Sequence, residues 1–538
     1  MLLPALLPVA GLVLVLVADL VVPRLRRVPY AVAGLASLGS ALAAVPGLGL
    51  GGGSARETFC LAAGACLWRA DALTSTLQLA AALCAAVCIA LAWPAGRTAH
   101  STGGGTAHST GGGTGHSTAE EATSEPVEAV LLLAALTGAV VVAASRDVGT
   151  WLVALELATL PVIVLVALSG RGSGRRAAVA GATQLLVTSI VSFALLVLGV
   201  ALWFAATGSP FLTADAVLGS ETSAAIATAS SSSGGQGWFA YAPLGGVEGA
   251  SGLTGPVLAL AVVLMLVGLG FKLSLVPFHA WTPTAYSGAS PPVAAFLATV
   301  SKIAALSALL VVLRAVASLG GPGLLTIGVL AAVSMTVGNV LALRQDDVVR
   351  LLAWSTVAQA GWVVLPLVSV SALGIGASGT YLLTYVIATL VAFAVVAVTV
   401  REQPDGRRLA AYDGLWHRSP WRAGALVLAL TSLAGLPPGV IGLVGKIAAL
   451  RPVVAEGWLW LALIAAVNAV LGVAVYLRWL RGVITAPDVA PATPRAAEEV
   501  AAATDVTRRR IAAFGLVVAA AVLVAVSVQP DLLLRLLG

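Results

Sequence analysis

The sequence predicts an all-α, polytopic membrane protein with about fourteen transmembrane helices. Three observations predict it. Hydrophobic residues make up 59% of the chain and charged ones only 10%, against about 25% charged in soluble domains. Mean hydropathy is +1.01. Windows of the ~20 apolar residues needed to cross a bilayer recur from end to end. A net charge of +6 does not point to nucleic acid, because the arginines are scattered through short loops.

In order, the expected spans are 2–22, 28–47, 72–93, 127–144, 149–169, 178–205, 256–276, 291–316, 322–343, 351–369, 376–400, 423–448, 456–477 and 511–530. The first begins at Met1 without a basic region or a cleavage site, so it reads as a spanning helix and not a removed signal. If the loop after it is cytoplasmic and sides alternate, twenty arginines fall on the cytoplasmic side and six on the other. That bias is the one expected of cytoplasmic loops, and it places both termini outside. Two stretches break the pattern. Residues 94–126 repeat Thr-Ala-His-Ser-Thr-Gly-Gly-Gly, with His100, His108 and His116 eight apart, and read as a flexible linker more than a metal site. Residues 206–253 are Ser/Gly-rich without a basic residue and read as an outside loop.

Four cysteines carry no CxxC and no iron–sulfur spacing. Cys60 and Cys66 share one loop and could pair only if it faces an oxidising compartment; the expectation is four unpaired thiols.

Only three lysines occur, Lys272, Lys302 and Lys446, each inside an apolar span; every other basic residue of the K/R set is arginine. An ionisable group in a span costs about 2.5–3.5 kcal/mol on insertion scales and is functional by default. Lysine is also the cation that readily exchanges its proton when buried. Glu156 lies mid-span and should seek a cation, with Lys272 the natural partner; a static helix-pinning ion pair is the plainer alternative. Lys272 lies five residues before Pro277, and Lys446 eight after Pro438. Both lysines therefore sit beside expected helix breaks, the usual setting of ion sites in transporters. Lys302 is expected on a continuous helix. His279 follows Pro277 and is a candidate for proton entry, or simply an interfacial hydrogen-bonding group. Asp346 and Asp347 read as a solvated turn, Trp354 and Trp362 as packing aromatics, and Tyr381 and Tyr385 as candidate lining of a polar path. No phosphate loop, paired catalytic carboxylates or nucleophile triad stands out, so the chemistry predicted is movement of a proton or ion.

These residues resemble the N-type antiporter-like subunits of respiratory complex I, the proton-pumping NADH–quinone oxidoreductase. The resemblance rests on Leu155-Glu156-Leu157 with Leu160-Pro161, and on the run from Gly270 through Lys272, Pro277 and His279 to Pro283. It continues through Tyr286-Ser287-Gly288-Ala289 with Pro292-Val293, Ser301-Lys302-Ile303, and Arg350 to Ser355 with Gln359-Ala360-Gly361. It ends on Ser432 to Pro437 with Gly445-Lys446. Lys446 fits the N type, where the M type usually has glutamate. The family's usual Asp-Val before Tyr286 is here Thr284-Ala285, and a lysine often found early in the sixth helix is replaced by Arg175 and Arg176 nearby.

The resemblance implies an antiporter-like fold: helices 1–3 within 1–93, a first five-helix repeat at 127–316, a second, inverted repeat at 322–477, and a C-terminal helix within 511–538. Lys272 and Lys446 then fall on corresponding broken helices. It implies a proton relay through Glu156, Lys272, Lys302 and Lys446. Flavin, iron–sulfur clusters and quinone are expected in or between other subunits, with no cofactor in this chain. The implied partners are membrane subunits on a K/J side and an M side, within a bacterial cell membrane. A subunit of a multisubunit sodium/proton antiporter is the alternative.

Overall fold

The computed structural model describes residues 1–21, 27–50, 54–61, 65–94, 115–170, 174–218, 254–317, 323–403, 405–485 and 506–537. Most of the expected 94–126 linker and of the 206–253 loop, including His100 and His108, therefore lies outside the described residues.

Three N-terminal helices come first: α1 (Leu3–Val21), α2 (Val28–Ala44) and α3 (Ala72–Leu91). Between α2 and α3 is a feature the sequence did not announce, an antiparallel hairpin of β1 (Arg56–Cys60) and β2 (Cys66–Ala70). Its register sets Cys60 opposite Cys66, and the two are joined in a disulfide. The expectation of four unpaired thiols is thus corrected to two, Cys84 and Cys88, both buried on α3. The sequence leaves open whether Cys60 and Cys66 are bonded; the strand register brings the two together.

The first half continues as α4 (Gly115–Ala144), α5 (Val148–Leu157), α6 (Leu160–Leu168), α7 (Arg175–Thr207), a short α8 (Ala214–Leu218), α9 (Thr254–Leu273), α10 (Trp281–Gly288), α11 (Pro291–Ala298) and α12 (Val300–Ala315). The second runs α13 (Gly323–Ala342), α14 (Val348–Val364), α15 (Ala372–Glu402), α16 (Leu415–Arg418), α17 (Pro420–Ala434), α18 (Val440–Ala455) and α19 (Leu459–Ile484). The chain closes with α20 (Val506–Val528) and α21 (Asp531–Leu537).

Among the described residues, 13 helical segments are long and apolar enough to span a membrane. The fourteenth expected span, 423–448, is the exception. It is split into α17 and α18 at Gly435–Gly439, and neither piece reaches the spanning length alone. Burial sorts the spans. About 94% of the best windows of 291–315 and 348–368 is buried, against 28% for α1 and α7. The helices carrying Lys302 and Gln359 therefore form the central wall, while α1 and α7 turn apolar faces outward, as lipid-facing helices must.

Local features recur between the halves at a fixed offset of two hundred residues. Asp147 caps α5 by accepting from the Thr150 N–H at 2.8 Å, and Asp347 caps α14 by accepting from the Arg350 N–H at 2.9 Å. The Val148 N–H donates to the Pro210 carbonyl, as the Val348 N–H does to that of Arg407. A Cβ added to Gly138 would lie 2.3 Å from the Ala158 nitrogen; one added to Gly338, 2.4 Å from the Ala358 nitrogen. Later the offset changes but the correspondence persists. α9 ends at Ser274 (φ 67°) and α17 at Gly435 (φ 80°). In each case the next N–H reaches back five residues, Leu275 to Gly270 and Leu436 to Thr431, both at 2.9 Å. This is a Schellman closure.

Candidate proton-relay site

Each of the four predicted ionisable residues lies beside a helix interruption. Glu156 is one residue from the end of α5. Pro161 can give no N–H to the Leu157 carbonyl, and the helix restarts as α6. Lys272 is one residue from the end of α9. Lys446 sits in α18, just past the Gly435–Gly439 break. Lys302 was expected on a continuous helix; that is corrected. Thr299, with φ −120° and ψ −78°, separates α11 from α12, and the Lys302 N–H bonds to the Thr299 carbonyl at 3.0 Å. Ser290 and the Pro291-Pro292 pair start α11, and the irregular Thr299 re-aims the second piece.

The breaks bring three of the four together. Lys272 Nζ lies 2.8 Å from Glu156 Oε1, a pair with side chains 7% and 13% exposed. It also donates to Thr159 Oγ1 at 3.0 Å. Lys302 Nζ donates to the Lys272 carbonyl at 2.9 Å and to Ser274 Oγ at 2.6 Å, and sits 4.7 Å from the centre of the Trp281 ring. Thr282 Oγ1 donates to the same Ser274 oxygen at 2.6 Å. Backbone carbonyls freed where a helix ends, hydroxyls and an aromatic face thus hold one ammonium, while a carboxylate holds the other. Beside Lys272 is a cavity of about 30 Å³ lined by Thr159, Thr188, Ser189, Ser301, Lys272 and Trp281 among others. Among the described residues, the Ser189 and Ser301 hydroxyls have no protein partner. A polar cavity of that size suits one or two waters.

Lys446 lies apart from this cluster, 6% exposed. Its Nζ donates to the Ala434 carbonyl at 2.5 Å, an acceptor freed by the break, and lies 5.5 Å from the Trp362 ring centre. Between the two sites runs a buried polar chain. Tyr385 OH donates to the Ala298 carbonyl at 2.9 Å, next to the Thr299 break, and to Thr356 Oγ1 at 3.0 Å. On the same face of α14, Ser355 and Gln359 both bond Tyr476 OH, at 2.7 and 2.9 Å. Tyr381 OH donates to Gln359 Oε1 at 2.5 Å, and its ring stacks on Trp362 at 5.6 Å. The two groups lie one turn apart on α14, with no bond between Thr356 and Gln359 among the described residues, and the second reaches the aromatic face near Lys446 through Tyr381.

The remaining predicted residue does not join. His279 lies in the turn between α9 and α10, its ring 5.3 Å from Trp354 and its Nδ1 without a partner. Lys272 and Lys446 both lie on segments interrupted by a similar turn, but on opposite sides of it: two residues before Ser274 and eleven after Gly435. The counterparts of Glu156 and Thr159 at the two-hundred-residue offset are Thr356 and Gln359.

This arrangement can be set beside known proteins. Residues 145–472 match the family model for the transmembrane domain of NADH:quinone oxidoreductase and Mrp antiporters. An NADH-quinone oxidoreductase subunit N from Salinispora tropica is 38% identical over 488 residues, covering 89% of this chain and 83% of the relative. The chain belongs to the subunit N family of NADH-quinone oxidoreductase. A second family member, subunit N 2 of Streptomyces griseus, is 35% identical over 91% of this chain and 83% of its own length. A chain of respiratory complex I from Thermus thermophilus superposes with a TM-score of 0.70 at 27% identity, covering 99% of this chain and 98% of that one. A chain of the Mrp complex from a Dietzia species shares the fold, with a TM-score of 0.75 at 21% identity over 100% and 97%.

Against this family background, the lysines and Glu156 were visible in the sequence because charge is rare in an apolar run. Ser274, Thr282, Thr356 and Tyr476 were not, since hydroxyl groups are common in spans. Tyr381 and Tyr385, one turn apart, were the one legible hint of the connecting chain.

Proposed function

We propose that the chain is the N-type proton-translocating subunit of NADH–quinone oxidoreductase, passing protons along Glu156, Lys272, Lys302 and Lys446. The observation that carries this is the Glu156–Lys272 pair at 2.8 Å with Lys302 bonded to the Lys272 carbonyl. An ammonium held by one carboxylate gives up its proton when a charge change elsewhere draws that carboxylate away. The proton then has the cavity beside Lys272 and the hydroxyl cluster at Ser274 to enter. From Lys302 the buried Tyr385–Thr356–Gln359–Tyr381 chain leads toward Lys446. Protons cross such chains by short transfers between hydrogen-bonded groups and waters, and burial keeps bulk solvent from short-circuiting them. No redox step takes place in this chain: flavin, iron–sulfur clusters and quinone belong to neighbouring subunits, on a K/J side and an M side. His279, in the turn between α9 and α10, takes the role of proton entry.

The repeats follow from the recurring features. We assign them to 127–316 and 322–477, with 1–93 and 511–538 flanking. Each contains five spans, an odd number, so the second runs upside down relative to the first. Both termini lie outside the bacterial cell membrane, the side on which the Cys60–Cys66 bridge also belongs.

The test is Lys302→Met in the assembled complex in sealed vesicles. Protons pumped per electron should fall, together with quinone reduction if the two are tightly coupled. Unchanged pumping would refute the relay. The Mrp likeness in fold favours a second reading, cation/proton antiport without redox coupling. Purification decides between them: co-isolation with flavin and iron–sulfur subunits supports the first reading. Salt-sensitive growth on deletion, with NADH oxidation intact, supports the second.

A further inference from the structure

The break that aims Lys302 is held from outside its own helix. In an unbroken helix each N–H bonds the carbonyl four residues back, so the Lys302 N–H would go to Ala298. It goes instead to Thr299, three residues back, at 3.0 Å, and shares that carbonyl with the Ile303 N–H at the same distance. The Thr299 angles, φ −120° and ψ −78°, lie well away from the helical pair near −63° and −42°. Ala298, Thr299 and Lys302 are all buried. Carbonyls released by a break in such a place need partners. Two side chains supply them. Thr299 Oγ1 donates to the Ala295 carbonyl at 2.7 Å. Tyr385, on α15, donates to the Ala298 carbonyl at 2.9 Å.

The Tyr385 hydroxyl has one hydrogen and a second neighbour, Thr356 Oγ1, at 3.0 Å. The carbonyl can only accept, whereas the threonine hydroxyl can also donate. Every group is satisfied when the phenol hydrogen goes to Ala298. The Thr356 hydrogen then goes to the phenol oxygen or to the Leu352 carbonyl, 2.9 Å away. Sending the phenol hydrogen to Thr356 would leave the Ala298 carbonyl buried without this partner, which is unfavourable. The ring itself is fixed, because Tyr385 is buried and α11 packs against α15.

This bond governs the direction of the segment that follows. From Thr299 onward, α12 carries Lys302 Nζ to the Lys272 carbonyl at 2.9 Å, to Ser274 Oγ at 2.6 Å and to within 4.7 Å of the Trp281 ring centre. The donor that helical register assigns to the Ala298 carbonyl is the Lys302 N–H. Were the carbonyl released, taking up that donor would straighten 291–315 and turn the ammonium from those three contacts.

We propose that Tyr385 is a positioning residue for Lys302: by occupying the Ala298 carbonyl, its hydroxyl keeps the helix broken at Thr299 and the ammonium turned toward Lys272. The proposal deepens the relay reading above and rests on it.

The test is Tyr385→Phe in the assembled complex, which removes one oxygen and keeps the ring. Its structure is determined by electron cryo-microscopy, and its rate of proton pumping is measured together with the KM for NADH and for quinone. The helix should run unbroken through Thr299, with the Lys302 N–H on the Ala298 carbonyl. Pumping should fall by about tenfold or more, the scale of one lost hydrogen bond to a charged group. Both KM values should hold, since those substrates bind in other subunits. Thr356→Val removes the other neighbour of the phenol and should leave the break in place. If Tyr385→Phe does not assemble, Tyr385→Met is read in the same way. A Tyr385→Phe structure that keeps the Thr299 break and the Lys302 contacts would overturn the proposal, whatever its pumping. So would straightening in Thr356→Val, which would trace the break to something other than this bond. A straightened Tyr385→Phe helix with normal pumping would instead refute the relay and leave the positioning role standing.

Discussion

At the scale of single residues, Ser274 is the most informative position. It occupies the left-handed region at φ 67°, which costs a non-glycine residue about 1–2 kcal/mol. Its counterpart in the second half is Gly435, with no such penalty. The difference has a reason in the structure: the Ser274 hydroxyl accepts from Lys302 Nζ and Thr282 Oγ1, both at 2.6 Å. Ser274→Gly should therefore change thermal stability little, since the about 1–2 kcal/mol released by the relaxed turn offsets much of the lost hydrogen bonding. Removing a partner of a buried ammonium should at the same time slow pumping by about ten- to a hundredfold, the equivalent of about 1.5–3 kcal/mol for a hydrogen bond to a charged group. Proton flux and the melting temperature of the same preparation check this; a loss of both, or of neither, would count against it. The sequence marks the ionisable residues plainly, because three lysines among many arginines cannot be missed. It marks their partners poorly. Ser274 is one serine among many, and only its backbone angle and its place opposite Lys302 distinguish it.

At the scale of the element, the interruptions position the site, and each has a local cause. Pro161 withholds an N–H, the Schellman turn at Ser274 ends α9, Thr299 breaks α11 from α12, and Gly435 ends α17. Prolines announced two of the expected breaks in the sequence. The Thr299 break had no such marker: threonine is an ordinary residue in an apolar helix, and its irregular angles come from packing. Gly138 shows what keeps the Glu156 break in place. A Cβ there would lie 2.3 Å from the Ala158 nitrogen, where α5 has just ended. Gly138→Val should push α4 and α5 apart and displace Glu156 from Lys272. Overpacking costs on the order of 1–3 kcal/mol, so the complex should still assemble with reduced pumping, and with Glu156→Gln adding little further loss. Additive losses in the double variant would show that Gly138 acts on something else. Gly338→Val, at the same contact in the second half, is the control, since Thr356 and Gln359 stand where Glu156 and Thr159 do.

At the scale of the molecule, thirteen of the fourteen expected spans, their order and the family were legible from hydropathy and a few motifs. The hairpin was not. Five-residue strands between spans give a weak signal, and Cys60 and Cys66 are too close in sequence for spacing alone to assign them. The structure makes a direct prediction for the whole chain. Denatured without reductant, two thiols should react with an alkylating probe, and four after reduction, by mass. Four reactive thiols before reduction would remove the hairpin closure. The intermixed partial burial of α1 and α7 also belongs at this scale: their outward apolar faces are the surfaces available to lipid or to neighbouring subunits.

The two-hundred-residue correspondence has one last implication. Duplicated scaffolds can stay interchangeable, and then a flow through them has no preferred sense. Here the copies have diverged where it counts: a negative charge at Glu156 in one, a neutral hydroxyl at Thr356 in the other. A carrier met by an acid at one stage and by amides and phenols at the next is bound unequally along its route. Under the proposed relay, a route built this way rectifies, in the electrical sense, by its architecture alone.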